Sequence, residues 1–288
     1  MKIHVTGAAG FLGRHVVQAL EPLGQVQGSD IGELDVTDAS AVLARLRSDA
    51  SDVVVHLAAL KGNAPSRQRP TEFFRVNTVG TLNLLEACRQ LGIKRFVFMS
   101  SLTVAGPTDE PVDETNPIRP IHPYAASKAA AEALVHAYCS SYGMRAAVLR
   151  PNFIVGAIPA PRPYEDNLIY DFIRAIERDG RIELAGDGGF RREWVHPRDV
   201  SAAVALAVAW QGEGCETFIL STNRLTMREL SERVVRRVGK GRVEANASAP
   251  GFSLISSNRK AREILGWKPR VDIEAIIDEI WDEYRSRR

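Results

Sequence analysis

KIHVTGAAGFLGRHVVQAL, residues 2–20, constrains the fold more than any other stretch. An apolar run stops at Gly7, and Gly10 and Gly13 follow. Apolar residues then recur at helical spacing. In such a strand–loop–helix unit the first glycine permits a tight turn. The second lets a pyrophosphate approach the backbone, and the third lets the helix pack closely on the strand. The helix start offers free N–H groups and the positive end of its dipole to the phosphates. A plain tight turn would need neither the strand before nor the helix after, and both are present.

The same alternation continues. QVQGSD reads as a strand ending in an acid, and DASAVLARLRSD as a helix with Asp38 as N-cap. DVVVHLAA, RFVFMSS and RAAVLRP read as further strands. TEFFRVNTVGTLNLLEACRQLG and PYAASKAAAEALVHAYCSSYG read as long helices closed by Gly92 and Gly143. Strands apolar throughout, alternating with helices, imply an α/β fold: a doubly wound parallel sheet covered on both faces. This unit occupies residues 1–150.

After Arg150 the pattern changes. RPNFIVGAIPAPRPYEDN is dense in Pro and Gly and reads as a functional loop. Beyond it come the helices NLIYDFIRAIERDG, RDVSAAVALAVAW, TMRELSERVVRRVG and DIEAIIDEIWDEY, with the strands RIELAG and CETFILST. Residues 151–288 are expected to form a smaller α+β substrate lobe, with some segments free to return to the first unit. A hydrophobic content of 45% permits a sizeable core. The net charge of +2, with signs mixed along the chain, argues against nucleic acid as a partner. Three cysteines, Cys88, Cys139 and Cys215, form no C-x-x-C pair, which fits a reducing compartment and no metal site. No apolar run is long enough to span a bilayer, and the expectation is a cytoplasmic protein.

Two further features carry chemistry. Asp30 ends the second strand, where a carboxylate can accept hydrogen bonds from both adenosine ribose hydroxyls and would repel a 2′-phosphate. This favours NAD over NADP; the alternative is a turn aspartate. In HPYAASKAAAEAL, Tyr124 and Lys128 lie four apart and share a helical face. An ammonium beside a phenol stabilises the phenolate, giving a proton acceptor usable near neutral pH. Ser100 and Ser101 end the fourth strand, where open parallel sheets bind ligands. A Y-x-x-x-K pair alone is common by chance, but its order after a glycine loop and a serine is not.

At this point the chain resembles the extended, nucleotide-sugar-modifying branch of the short-chain dehydrogenase/reductase superfamily. The motifs that carry the resemblance are TGAAGFLG, DVTD, HLAALK, NTVGT, SSLTVAG, YAASK, RPNFIVG, RREWVHPRDV and LGWKP. The resemblance implies a Rossmann-type cofactor domain and catalysis by Ser101, Tyr124 and Lys128. It implies that Gly7, Gly10, Phe11, Leu12 and Gly13 border NAD, with Asp30 on the ribose and Asp35 and Val36 at the adenine. Leu57, Ala58 and Ala59 would pass beside the cofactor, Asn77 would brace that turn, and Ser100 and Pro151 would complete the site. Lys61 resembles the cofactor-touching lysine of UDP-galactose 4-epimerases. Asn152, Asn167, Leu168 and Arg192 match positions that hold a sugar nucleotide's diphosphate, together with Ser101 at the sugar. A guanidinium fork suits a diphosphate. His196 and Asp199 of VHPRD are read as structural, Asp199 capping a helix and His196 satisfied at the lobe interface. A homodimer is also implied.

The branch includes 4-epimerases, 4,6-dehydratases and keto-sugar reductases. The dehydratases resemble one another in an Asp-Glu pair just after the catalytic Ser or Thr. Here Leu102 and Thr103 stand there, and neither can ionise. SSLTVAG is closer to the epimerase form, although Ala105 replaces a usual Tyr. The expected activity is therefore an NAD-dependent nucleotide-diphosphate-sugar 4-epimerase. The alternatives are a keto-sugar reductase or sugar dehydrogenase and, ranked lower, a nucleotide-sensing regulator.

Overall fold

The structure, a computed structural model, describes residues 1–158, 167–246 and 251–288. Part of the Pro/Gly-rich loop, residues 159–166, therefore lies outside the described residues.

In chain order the first elements are β1 (Lys2–Thr6), α1 (Phe11–Leu20), β2 (Gln25–Ser29), α2 (Ala39–Asp49), β3 (Val53–His56), α3 (Asn63–Gln68), α4 (Pro70–Phe74) and α5 (Gly80–Leu91). They continue with β4 (Arg95–Met99), α6 (Pro123–Tyr142), β5 (Arg145–Pro151), β6 (Phe153–Ile154), α7 (Leu168–Asp179) and β7 (Arg181–Ala185). The rest are β8 (Arg191–Val195), α8 (Pro197–Ala209), β9 (Cys215–Leu220), β10 (Arg224–Thr226), α9 (Met227–Val238), β11 (Arg242–Asn246), α10 (Arg259–Ile264) and α11 (Ile273–Ser286).

Among the described residues the central sheet is six-stranded and parallel, in the order β2-β1-β3-β4-β5-β9. The strands alternate between two covered faces. Ile3, Val5, Val53, Val55, Val97 and Leu149 pack with α1 and α8 on one side. Val54, Phe96, Phe98, Ala146 and Val148 pack with α2, α5 and α6 on the other. Both faces are covered by helices, and the polar side chains within these strands, His4, Thr6 and His56, are buried and hydrogen-bonded. Segments from beyond residue 150 complete this layer. β9 is hydrogen-bonded to β5 through Ala146–Pro151, and α8 packs on α1. A third core gathers α7, β7, α9 and α11 around Trp194. β6, β8 and β10 form a small sheet, and β7 pairs with β11.

Local signals explain the ends. The Asp38 carboxylate accepts from Ser40 N and Ala41 N, and Gly92 and Gly143 close their helices in the left-handed region. The segment 71–92, expected as one helix, is interrupted. α4 begins at Pro70, a π-turn spans Arg75–Val79, and α5 follows. The cap of α8 is His196, whose Nδ1 accepts from Arg198 N, while its Nε2 meets Glu279 at 2.9 Å. Asp199 is not that cap. Its carboxylate accepts from Arg270 N and Val271 N and its carbonyl from the Trp267 indole, which fixes the chain entering α11.

A strap, residues 251–257, bridges the segment after β4 and strand β8. Thr108 N and Val112 N donate to Ser253 O and Ile255 O on one side, and Leu254 N donates to Arg191 O on the other.

Candidate active site

The chain runs from β1 to β2 at the sheet edge and returns to β3 on the far side of β1. The crevice between the carboxyl ends of β1 and β3 is therefore the switch point where such sheets bind ligands. Gly7 lies there at φ +72°, and its N–H donates to Ser29 O at 2.8 Å. A Cβ on Gly7 would stand 2.8 Å from Ala58 N, and one on Gly13 would stand 2.1 Å from Gly7 O. No side chain caps the start of α1.

Asp30 follows β2. Its carboxylate accepts from Ala9 N at 3.1 Å and Ile31 N at 2.9 Å, which fixes it beside the glycine loop. Asp35 accepts from Thr37 N at 2.9 Å, and that bond, with Arg75 at 3.7 Å, holds its carboxyl below the usual range. Val36 is buried against Gly80 of α5. Leu57 N and Ala58 N both donate to Thr6, and Ala59 and the exposed Lys61 follow in the same turn. Asn77, fully buried, clasps Leu60 with two bonds, accepting from its N–H at 2.8 Å and donating to its carbonyl at 3.0 Å.

The candidate catalytic side chains lie at the end of β4 and the start of α6. Ser101 Oγ accepts from Thr103 Oγ1 at 2.9 Å and contacts the Tyr124 phenol. His122 caps α6 by accepting from Ala125 N, and its ring stacks on Tyr124 at 6.0 Å. Phe73 meets the same ring edge-on at 6.3 Å. His122 was not singled out in the sequence. The signal available was the His-Pro start of the helix, which places a cap before a first-turn proline.

The spacing of Tyr124 and Lys128 led to the expectation of a phenol held down by an ammonium. The structure corrects this. Burial pushes the Tyr124 phenol up, and the Ser101 contact lowers it in part. Lys128 Nζ instead donates to Met99 O at 2.8 Å and lies 4.9 Å over the Phe98 ring. Burial lowers Lys128 to about 7, with Glu132 opposing that shift. Between about pH 7 and the ordinary lysine range, the unfolded chain thus holds a proton that the folded chain lacks. Folding stability should rise with pH across that window. Lys128→Met should flatten the rise, as read from denaturation midpoints at successive pH values; an unchanged slope would remove Lys128 as its source.

Pro151 ends β5. Asn152 is fully engaged: its amide N–H groups reach Glu193 and Leu254 O, and its Oδ1 accepts from Phe153 N. Asn167 caps α7 through Ile169 N and donates to Gly156 O, and Leu168 opens that helix half-buried. Arg192 is 9% exposed, with Nη1 buried and unpartnered among the described residues. Phe252 of the strap covers its guanidinium at 4.0 Å, and Phe153 and Phe190 lie at 5.3 Å. Burial lowers Arg192 to about 10. A cavity of about 760 Å³ lined by Glu193, Arg224, Arg259 and Arg262 touches Asn152 only through its bond to Glu193, and Arg192 is not part of its lining. Successive strand residues point to opposite faces, so Glu193 and Arg192 serve different spaces.

The sequence profile of the NAD dependent epimerase/dehydratase family matches residues 3–219. The chain belongs to this family. It is 31% identical to the UDP-glucose 4-epimerase of Streptococcus mutans serotype c, over 99% of this chain and 97% of the relative. It is 30% identical to the dTDP-glucose 4,6-dehydratase of Streptomyces niveus, over 100% and 94%. Among solved structures it is similar to the UDP-glucose 4-epimerase of Thermus thermophilus in complex with NAD, with a TM-score of 0.86, 31% identity and 99% of each chain covered.

The epimerase/dehydratase family uses NAD, and the described residues fit that group. The start of α1 is uncapped, Gly7 and Gly13 leave no room for side chains, and Ser100 Oγ at the end of β4 is buried without a partner among the described residues.

Proposed function

We propose that the protein is an NAD-dependent nucleotide-diphosphate-sugar 4-epimerase. The observation that carries this reading is the contact of Ser101 with the Tyr124 phenol, with Lys128 one turn further along α6 and no carboxylate at the two positions after Ser101. Leu102 there is fully buried, and Thr103 spends its hydroxyl on Ser101. Neither can supply the acid or base that removal of water demands.

In this reading Gly7, Gly10, Phe11, Leu12, Gly13, Asp30, Asp35, Val36, Leu57, Ala58, Ala59, Lys61, Asn77, Ser100 and Pro151 border NAD. When bound, NAD would accept and return the hydride at the sugar's C4. Ser101 orients the C4 oxygen and lowers the proton affinity of the phenol. Tyr124 takes and returns the hydroxyl proton. Lys128 is the cation on the same helical face. Arg192 offers its unpaired N–H to the diphosphate, with Asn152, Asn167 and Leu168 shaping the wall around it. The chain acts as a homodimer in a reducing cytoplasm. The support is Phe74 and Val79, large apolar residues exposed next to α6, and three free thiols.

The test is incubation with a panel of nucleotide sugars. A 4-epimer pair should interconvert, by NMR, without added reductant and without net change in reduced-nicotinamide absorbance. Stoichiometric NADH formation, or NADPH consumption with a 4-keto sugar, would replace this reading by a dehydrogenase or a reductase.

Cofactor choice is a separate expectation. A 2′-phosphate would face the Asp30 carboxylate with like charge, so NAD should bind at least about tenfold more tightly than NADP. Asp30→Ala should narrow that ratio. Titration of cofactor-free protein checks it; equal affinities for wild type would remove Asp30 from the ribose.

A further inference from the structure

We propose that His56 is a positioning residue for the reaction, fixing the cofactor-side turn against the catalytic helix through a buried chain of hydrogen bonds. The proposal rests on the reading of Tyr124 as the proton acceptor. The chain runs from Ala58 to Tyr124. Ala58 N donates to Thr6 Oγ1 at 3.3 Å, and Thr6 Oγ1 meets His56 Nδ1 at 2.7 Å. His56 Nε2 meets Thr81 Oγ1 at 3.1 Å, and Thr81 donates to the Asn77 carbonyl at 2.6 Å. Asn77 Nδ2 donates to Ser127 Oγ at 3.0 Å, and Ser127 donates to the Tyr124 carbonyl at 2.8 Å. The same Asn77 amide holds Leu60. Thr6, His56, Asn77, Thr81 and Ser127 are each at most 1% exposed.

The directions are determined. Thr81 spends its single hydroxyl hydrogen on the Asn77 carbonyl, which can only accept. Its oxygen must then accept from His56, so Nε2 carries the hydrogen. Nδ1 is left as an acceptor, and Thr6 donates to it. Thr6 is thereby free to accept from Ala58. Each donor and acceptor along the chain has one role, and reversing any link breaks its neighbour. Burial also holds the imidazole well below its ordinary range, in keeping with a neutral ring.

Apolar packing alone does not call for an imidazole here. The His56 ring lies 6.2 Å from that of Phe96 and 5.8 Å from that of Phe98, where a leucine or phenylalanine would suit the core. What the imidazole adds is direction: two bonds at opposite ends of a rigid ring, spanning from β1 to α5. From α5 the chain reaches the first turn of α6. One end sets Ala58 and Leu60, on the cofactor side. The other sets the backbone of Tyr124, next to the reacting phenol. A small displacement between those ends misaligns the reacting atoms, and such errors cost up to about 10²-fold in rate.

The experiment uses the full chain with bound NAD and the variants His56→Leu, His56→Gln, Thr81→Val and Ser127→Ala. It reads kcat, KM, NAD content and hydrogen exchange at residues 57–60 and 124–128. In His56→Leu, kcat should fall about 10- to 100-fold with KM and NAD content within about twofold. His56→Gln keeps a donor toward Thr81 and should recover most of the loss. The His56→Leu/Ser127→Ala double variant should lose no more than its worse single member, because both cut one chain. Exchange should rise in both segments together. Additive losses, unchanged kcat in the folded variants, or exchange rising in one segment alone would overturn the proposal. Thr81→Val and Ser127→Ala give the same test if His56→Leu does not fold. If the wild type turns over no nucleotide sugar, the functional reading falls, and the exchange measurement still decides this one.

Discussion

Tyr124→Phe is expected to lower turnover by about 10²- to 10⁴-fold, the usual worth of a positioned proton acceptor, while NAD stays bound at wild-type stoichiometry. The ring itself should not move. It is stacked on His122 and met edge-on by Phe73, and neither contact involves the hydroxyl. Only the atom facing Ser101 is lost. The measurement is steady-state interconversion together with the NAD content of the purified variant. A rate near that of wild type would remove Tyr124 from the reaction. Loss of NAD with the rate would show that the phenol holds the cofactor and not the proton.

The second large effect concerns a buried ion pair behind the candidate catalytic residues. Arg150 donates to Glu132 through Nε at 2.9 Å and a terminal nitrogen at 2.6 Å, and the two side chains are 6% and 2% exposed. Glu132→Gln would leave a buried guanidinium uncompensated. Breaking such a pair from one side costs about 3–5 kcal/mol, which for a chain of this size is on the order of 10 °C in Tm. The same change removes the acid that holds Lys128 up, so Lys128 should lose its proton at still lower pH. The alkaline limb of the activity profile should move down with it if charged Lys128 is required. Calorimetry checks the first effect and a pH–rate profile the second. A Tm within a degree or two of wild type would show that Arg150 finds another partner.

Much of the first layer was legible because each local signal has one physical meaning. Gly7 sits in the left-handed region at the end of a strand, and Gly13 has no room for a Cβ. Asp38, Gly92 and Gly143 end helices in the way their side chains, or lack of one, dictate. The destination of CETFILST was not legible. Its apolar pattern shows that it is buried but not against which neighbour, and it joins β5 in the main sheet. The interruption of the 71–92 helix was hidden because Arg75–Val79 keeps helical spacing through a π-turn. The direction of Lys128 was hidden for another reason. Four-residue spacing fixes a face, but a long side chain goes to the best nearby acceptor, here Met99 O. His196 and Asp199 show the same limit: both are structural, yet the helix cap is His196, and Asp199 serves a segment about 70 residues away.

The placing of β9 also bears on how the chain is made. β5 is finished at Pro151, and its outer edge is paired only when Cys215–Leu220 arrives. At synthesis rates of about 5–20 residues per second, roughly sixty intervening residues leave that edge open for about 3–12 seconds. During that interval Ala146–Leu149, almost wholly apolar, presents unpaired N–H and C=O groups to any neighbouring strand. A nascent chain stalled short of residue 215 would therefore be prone to associate through this edge, whereas a full-length chain covers it.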